Sequence, residues 1–401
     1  MAPPVALARK HCDPAAAGPL DGIRVLDLSR LVAGNIVTHL LADFGADVVK
    51  VERPGKGDDL RNWRVEGHEI FWKTYSRNKR SIALDIKDAE GRRTLERLIA
   101  TTQVLVENFV PGTLERMGLG PDQLLAMNPK LIVVRVSGWG QTGPWRERPG
   151  FGTLVEAMSG FAHLNGYPDK PPAVPPLALG DMLAGQYGAF AVMTALREIE
   201  VKGGAGQTID LSLFEPMFFA VASEAGTARV AGKGSMRAGN QSAHTAPRNL
   251  YRCADERYVA LSGSMQSMAE RLFRAIGRAD MIVDPRFATN DARVINRDAL
   301  DAIIGDFIAA RTQAENLALF EAAEVTVGPV CAVEDLLTHP FVAGREAIVE
   351  LDDPDLGSLP MHNIVPRLSA TPGTFRRPAP KVGQHTQEVM ADLARWESDA
   401  G

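Results

Sequence analysis

Between Ile23 and Val51 the chain reads strand, short loop, helix, strand, and this order limits the fold more than any other feature. Ile23 to Leu28 has the pattern of a buried strand, and Ser29 to Gly34 is the turn after it. Ile36 to Phe44 follows as a helix ended by Gly45. Ala46 to Val51 is a second strand, closed by Glu52-Arg53-Pro54-Gly55. A tight hairpin joins only antiparallel neighbours, so two strands linked through a helix commit the chain to a parallel sheet.

The pattern recurs. Ser81 to Ile86 is extended, Asp88 to Ala100 is a helix capped by Asp88, and Val104 to Glu107 is a strand. Leu114 and Met117 start a helical turn, Pro121 to Met127 makes another, and Leu131 to Ser137 is a further strand. Residues 21–215 are therefore expected to form a large α/β domain with a Rossmann-like open parallel sheet. Ligands of such sheets sit beyond the carboxyl ends of the strands, where the loops 29–34, 52–55, 108–112 and 137–143 fall. With 401 residues the chain is too long for one compact core. The composition shifts near Ala220, and residues 216–345 predict a smaller mixed α/β domain with linkers. It carries a Gly-rich, basic, mobile loop from Arg229 to Asn240, a strand at Tyr258 to Ser262 and three helices. Leu351 to Leu359 and Met361 to Leu368 read as a β excursion, and residues 346–401 end in a helix that returns to the large domain. Residues 1–20, rich in Ala and Pro, read as a flexible arm.

Several classes of function are disfavoured. The net charge of −5 argues against broad nucleic-acid binding. Cys12, Cys253 and Cys331 form neither a disulfide framework nor a metal spacing, which suits a cytoplasmic protein. No apolar run has the length of a membrane span, and the arm lacks the apolar core of a signal peptide. The first turn holds one glycine where a dinucleotide fingerprint needs three, and no P-loop or G-x-S-x-G is present. The eight histidines show no metal spacing, so no metal site is expected.

Two features remain. Arg53, Arg77, Lys79, Arg80, Lys87 and Arg116 cluster in the loops of the first domain, as a solvated face or as a site for a phosphorylated ligand. Asp181 stands between a Pro-rich loop and a helix read from Met182 to Glu198. There it is either the N-cap of that helix or a carboxylate nucleophile beside a glycine.

Several long stretches resemble one family. They are Pro19 to Ser29, Gly45 to Gly55, Asn78 to Asp85, Val106 to Gly112, Ser137 to Pro144, Arg237 to Asn240 and Gly383 to Thr386. In this order, over nearly the whole chain after residue 18, they are similar to the family III CoA-transferases, which include formyl-CoA transferase, carnitine CoA-transferase and the α-methylacyl-CoA racemases. The resemblance implies that Asp181 is the catalytic nucleophile. It implies CoA contacts from Leu31, Val32 and Ala33, and from Arg53, Leu84, Lys87, Asn108, Phe109, Arg116 and Met117. Where formyl-CoA transferase has a glutamine in the first turn, this chain has Val32.

The racemase branch uses a Gly-His-Asp motif and a glutamate of the small domain. Here those positions read Gly150-Phe151-Gly152 and Met265, which supply no acid or base, so transfer is favoured over racemisation. The implied reaction passes CoA from an acyl-CoA, such as succinyl-CoA, to a small carboxylic or dicarboxylic acid. It runs through a mixed anhydride and an aspartyl-CoA thioester, with backbone N–H groups at the helix start facing the oxyanion. The loop Gly232 to Asn240 is expected to shield the anhydride from water. The CoA thioester is a substrate, no cofactor is permanently bound, and an interlocked homodimer is expected. A racemase and a non-catalytic CoA-binding module stay open as alternatives.

Overall fold

The computed structural model describes residues 6–400. Its first strand, β1 (Ala8–Lys10), is followed by β2 (Arg24–Asp27), β3 (Asp47–Glu52), β4 (Lys79–Ala83), β5 (Val104–Glu107), β6 (Ile132–Ser137) and β7 (Gln207–Ser212). Strands β2 to β7 form one sheet in the order β4-β3-β2-β5-β6-β7, and every neighbouring pair is parallel. The order turns back between β2 and β5, so the loops leaving these two strands diverge and open a crevice at their carboxyl ends.

Both faces of the sheet are covered, as the short apolar strands require. Successive residues feed opposite cores. Val25, Val48, Val104, Val106, Ile132 and Val134 point to a cluster shared with the helices Ala33–Asp43 and Leu179–Lys202. Leu26, Val49, Leu105 and Val133 point to another, shared with Leu95, Leu98 and Ile99 of the helix Ala89–Ala100 and with Val389 and Leu393 of the helix Thr386–Ala400. Asp88 caps Ala89–Ala100 by accepting the Gly91 N–H at 2.6 Å, as its place in the sequence predicts.

The chain divides into two compact units. The first takes residues up to 161, 175–221 and from 337 onward, and holds the parallel sheet. The second takes residues 162–174 and 222–336. It contains the antiparallel strands β8 (Arg248–Arg252), β9 (Tyr258–Ser262) and β10 (Val327–Pro329), in the order β10-β9-β8. Three helices, Gln266–Ala275, Arg297–Ala309 and Gln313–Ala322, enclose a core around Leu272, Phe273, Ile304 and Phe320.

Three sequence expectations are corrected. Ala8–Lys10, within the segment read as a loose arm, pairs in parallel with Val349–Leu351 of β11 (Ile348–Asp353); Met1 to Val5 of that arm lie outside the described residues. The β excursion is a hairpin of β11 with β12 (Gly357–His362). Its turn falls where the sequence suggests continuous strand, because the Asp353 carboxylate accepts the N–H groups of Asp355 and Leu356 and folds the chain back. Arg229 to Ala231 end a helix, Ser223–Ala231, rather than opening a loop. The following segment is tied down: the Gly239 N–H donates to the Gly166 carbonyl, and Arg237 donates to the carbonyls of His163 and Tyr167. Among the described residues no helix is long and apolar enough to cross a membrane.

Candidate active site

Asp181 lies in the first turn of the helix Leu179–Lys202, two residues inside its start. The N-cap position belongs to Ala178, and no side chain of the helix caps it, so Asp181 is not the cap of its own helix. Its carboxylate instead faces the backbone N–H of Ala33, the first residue of the helix Ala33–Asp43, which favours its ionised form. A negative group there answers both the unpaired first N–H groups and the positive end of the helix dipole.

Two glycines make this meeting possible. A Cβ on Gly185 would stand 2.4 Å from Ile36 Cγ2 and 3.1 Å from the Ala33 carbonyl oxygen. A Cβ on Gly188 would stand 2.6 Å from Val37 Cγ2. Both distances to side-chain carbons are shorter than carbon–carbon contact, so the two helices cross backbone against side chain only because these residues lack a Cβ.

The other wall is the helix Gly152–Met158. A Cβ on Gly152 would lie 2.4 Å from Asp181 Oδ2 and 3.6 Å from Glu156 Oε1. Gly152 and Glu156 are one helical turn apart and share a face. Glu156 is only 2% exposed, and its Oε1 accepts the Gly180 N–H at 2.9 Å. Burial, and next to it the charge of Glu156, push the Asp181 carboxyl up to about 6, against the opposing pull of the Ala33 N–H. A half-buried carboxylate of this kind holds its proton more tightly than one in water.

The crevice between β2 and β5 gathers part of the expected CoA-contact set. The Arg30 N–H donates to Asn108 Oδ1 at 2.8 Å, and Asn108 Nδ2 donates back to the Arg30 carbonyl at 2.7 Å, which locks the two diverging loops together. Leu31 adopts a positive φ of 60°, and its N–H donates to Asp58 Oδ1 at 2.9 Å. Arg53 pairs with Asp59 at 3.0 Å, beside Arg30. Leu84, Phe109 and Met117 pack on one apolar cluster at the strand ends. Val32 is buried with Ile36, Leu60 and Trp72, so its side chain faces an apolar cluster and Ala33 presents backbone beside it. Lys87 and Arg116 are exposed, and Arg116 donates to Thr113 Oγ1.

The basic cluster divides. Arg77, Lys79 and Arg80 are buried in ion pairs with Asp43, Asp27 and Asp47, and form neither a solvated face nor an anion site. The sequence pattern does not mark Asp58 or Glu156 as site residues. Asp58 precedes a short 3-10 turn as its cap, and Glu156 stands one helical turn after Gly152, the only local signals that point to them. Phe151 is exposed at the start of its helix, and Met265 is an exposed residue of the second unit. Two open pockets of the second unit, of about 470 and 510 Å³, share Asn240; Gly239 lines the first, and Arg237 and Ala238 line the second.

Residues 20–386 match the family model described as CoA-transferase family III. The succinyl-CoA–D-citramalate CoA-transferase of Chloroflexus aurantiacus is 39% identical over 384 residues, spanning 95% of this chain and 95% of that protein. The succinyl-CoA:glutarate CoA-transferase of Homo sapiens is 32% identical over 385 residues, 95% of this chain and 87% of that one. A solved CaiB/BaiF family protein from Brucella suis superposes with a TM-score of 0.84 at 34% identity, over 94% of this chain and 100% of that chain.

Proposed function

The chain belongs to the family III CoA-transferases and is a CoA-transferase, and from that premise we propose that it carries CoA from succinyl-CoA, or a close analogue, to a small carboxylic or dicarboxylic acid, with Asp181 as nucleophile. The observation that carries the reading is the Asp181 carboxylate itself: raised to about 6, held against a glycine and aimed at a helix N-terminus.

An Asp181 oxygen attacks the thioester carbonyl, the C–S bond breaks, and CoA leaves as thiolate from a mixed anhydride. The thiolate attacks the aspartyl carbonyl and releases the donor acid, leaving an aspartyl-CoA thioester. The acceptor carboxylate attacks that carbonyl and expels the thiolate. The thiolate then attacks the acceptor's acyl carbon, which frees the new thioester and Asp181. One thioester replaces another, so the exchange is close to neutral in energy and needs no ATP. The Gly180 N–H at the start of the Asp181 helix is engaged by Glu156, which leaves the Ala33 N–H and Asp181's own N–H as the backbone donors facing the oxyanion formed on the aspartyl group.

The switch-point loops would hold the nucleotide, with backbone at Leu31 to Ala33, Asn108 and Phe109 across the crevice, and Arg53, Lys87 and Arg116 towards phosphates. Leu84 and Met117 would give the apolar side. The chain would act as a homodimer. An apolar face on the first unit, with Leu154, Met158, Phe190, Met193 and Phe219 all at least 43% exposed, supports that.

Intact-protein mass spectrometry with succinyl-CoA tests the reading. A covalent CoA or succinyl adduct is expected on the wild type and not on Asp181→Ala. Solvent deuterium entering the α-carbon of an acyl-CoA, with no adduct, would replace it by proton exchange.

A further inference from the structure

The helix that carries Asp181 starts without a side-chain cap of its own. Its Gly180 N–H is nevertheless satisfied, by Glu156 from a different helix. The same glutamate shares with Asp181 the space in front of Gly152, where one Cβ position lies 2.4 Å from Asp181 Oδ2 and 3.6 Å from Glu156 Oε1. The two carboxylate oxygens are therefore within about 6 Å of each other, close enough for strong repulsion in a partly dry site. A buried carboxylate is normally beside a cation. Here the charged group that acts on Asp181, among the described residues, is another carboxylate.

We propose that Glu156 is a positioning residue for the transfer reaction, fixing the turn that carries Asp181 and placing a second negative charge where acylation of Asp181 relieves it. The inference rests on Asp181 being the nucleophile. In the free enzyme Glu156 faces an anion. In the anhydride and in the aspartyl-CoA thioester, the aspartyl group has lost its charge and the repulsion is gone. Glu156 thus raises the resting state relative to both covalent states and drives the first attack, while its bond to Gly180 keeps the attacking oxygen on line. The groups facing Asp181 are Glu156 from the helix Gly152–Met158, the Ala33 N–H from the helix Ala33–Asp43, and its own backbone N–H.

Glutamine keeps an oxygen for the Gly180 N–H and removes the charge, so Glu156→Gln separates the two roles. The experiment follows covalent labelling of the homogeneous protein by succinyl-CoA with rapid quench and intact mass, from pH 4.5 to 8.5. No acceptor acid is needed. The wild-type labelling rate is expected to fall below a limb near pH 6. In Glu156→Gln the limb should move down by about one pH unit, and the equilibrium adduct fraction should drop several-fold. The comparison between variants cancels any titration of the thioester itself. Glu156→Asp keeps the charge and shortens the reach to Gly180. It should keep the wild-type limb while melting at a lower temperature, and it carries the test if Glu156→Gln does not fold. An unchanged limb and adduct fraction in Glu156→Gln, or a limb displaced by a full unit in Glu156→Asp, overturns the inference alone. No adduct on the wild type, or an adduct that persists in Asp181→Asn, overturns the nucleophile reading and the inference with it.

Discussion

Two carboxylates of the first unit are taken out of water and end with opposite properties. Asp27, at the end of β2, is fully buried, and burial alone would raise it. Lys50 at 3.1 Å and Lys79 at 3.2 Å, with hydroxyl bonds from Ser29 and Thr38, instead bring it down to about 2. Lys79 is itself pushed down to about 8 by burial, with Lys50 adding to the push against the pull of Asp27. Asp181 is less buried, faces Glu156 in place of a lysine, and rises to about 6. Burial is common to both; the sign of the nearest charge decides whether the group is locked into the framework or, as proposed for Asp181, left reactive.

The widest separation of the two sites is expected from neutral replacements. Asp181→Asn should reduce transfer by about 10⁴-fold or more, read as loss of acyl exchange at unchanged far-ultraviolet circular dichroism. If it kept even a tenth of the activity, the reactive half of the contrast would collapse. Asp27→Asn leaves buried Lys79 without its carboxylate and Lys50 with Asp58 alone, and should lower stability by about 3–5 kcal/mol in urea unfolding. A smaller effect, of about 10²-fold on kcat/KM, is expected from Gly152→Ala, whose methyl would overlap Asp181 Oδ2 and turn the carboxylate away.

The pH dependence of stability should differ in sign. The folded protein holds the Asp27 proton more weakly than the unfolded chain does. Its contribution is full above about pH 4 and is lost as pH falls through about 2. The folded protein holds the Asp181 proton more tightly, so ionising it costs stability above about pH 6 and nothing below about pH 4. Asp181→Asn should therefore be more stable than the wild type at pH 8, by on the order of 2 kcal/mol, with the gain fading towards pH 4. Thermal melts across that range that show a constant difference would remove Asp181's raised affinity for its proton from the account.

Much of the large sheet is legible in the sequence because its strands are buried on both faces. Val104 to Glu107 is observed at the same bounds, and Leu131 to Ser137 loses only Leu131. The strands β1, β8 and β10 escape, and for one physical reason. Each is short and offers few apolar residues: β1 is Ala-Arg-Lys, β8 buries only Tyr251, and β10 contains Gly and Pro. The class of fold and the family follow from the motifs. Burial of charge does not, because the partners of Arg77, Lys79 and Arg80 stand more than thirty residues away in sequence. Glu156 is hidden likewise, since a glutamate on a short helix reads as solvent-facing until the neighbouring helix start is in place.

The close crossing at Gly185 and Gly188 has a mechanical meaning. With the Ile36 and Val37 side chains seated directly on the glycine backbone, the two helices are geared together, and Ala33 stands at the mesh: behind it is the loop proposed for the nucleotide, and its N–H faces the Asp181 carboxylate. A ligand that grips the far end of that loop would thereby set the tension at the near end. Such a linkage lets affinity for a distant, unreacting portion of the substrate be converted into alignment at the bond that breaks. A succinyl thioester of pantetheine, cut off before the nucleotide, should accordingly suffer in kcat as well as in KM, whereas a loss confined to KM would mean that the gears slip.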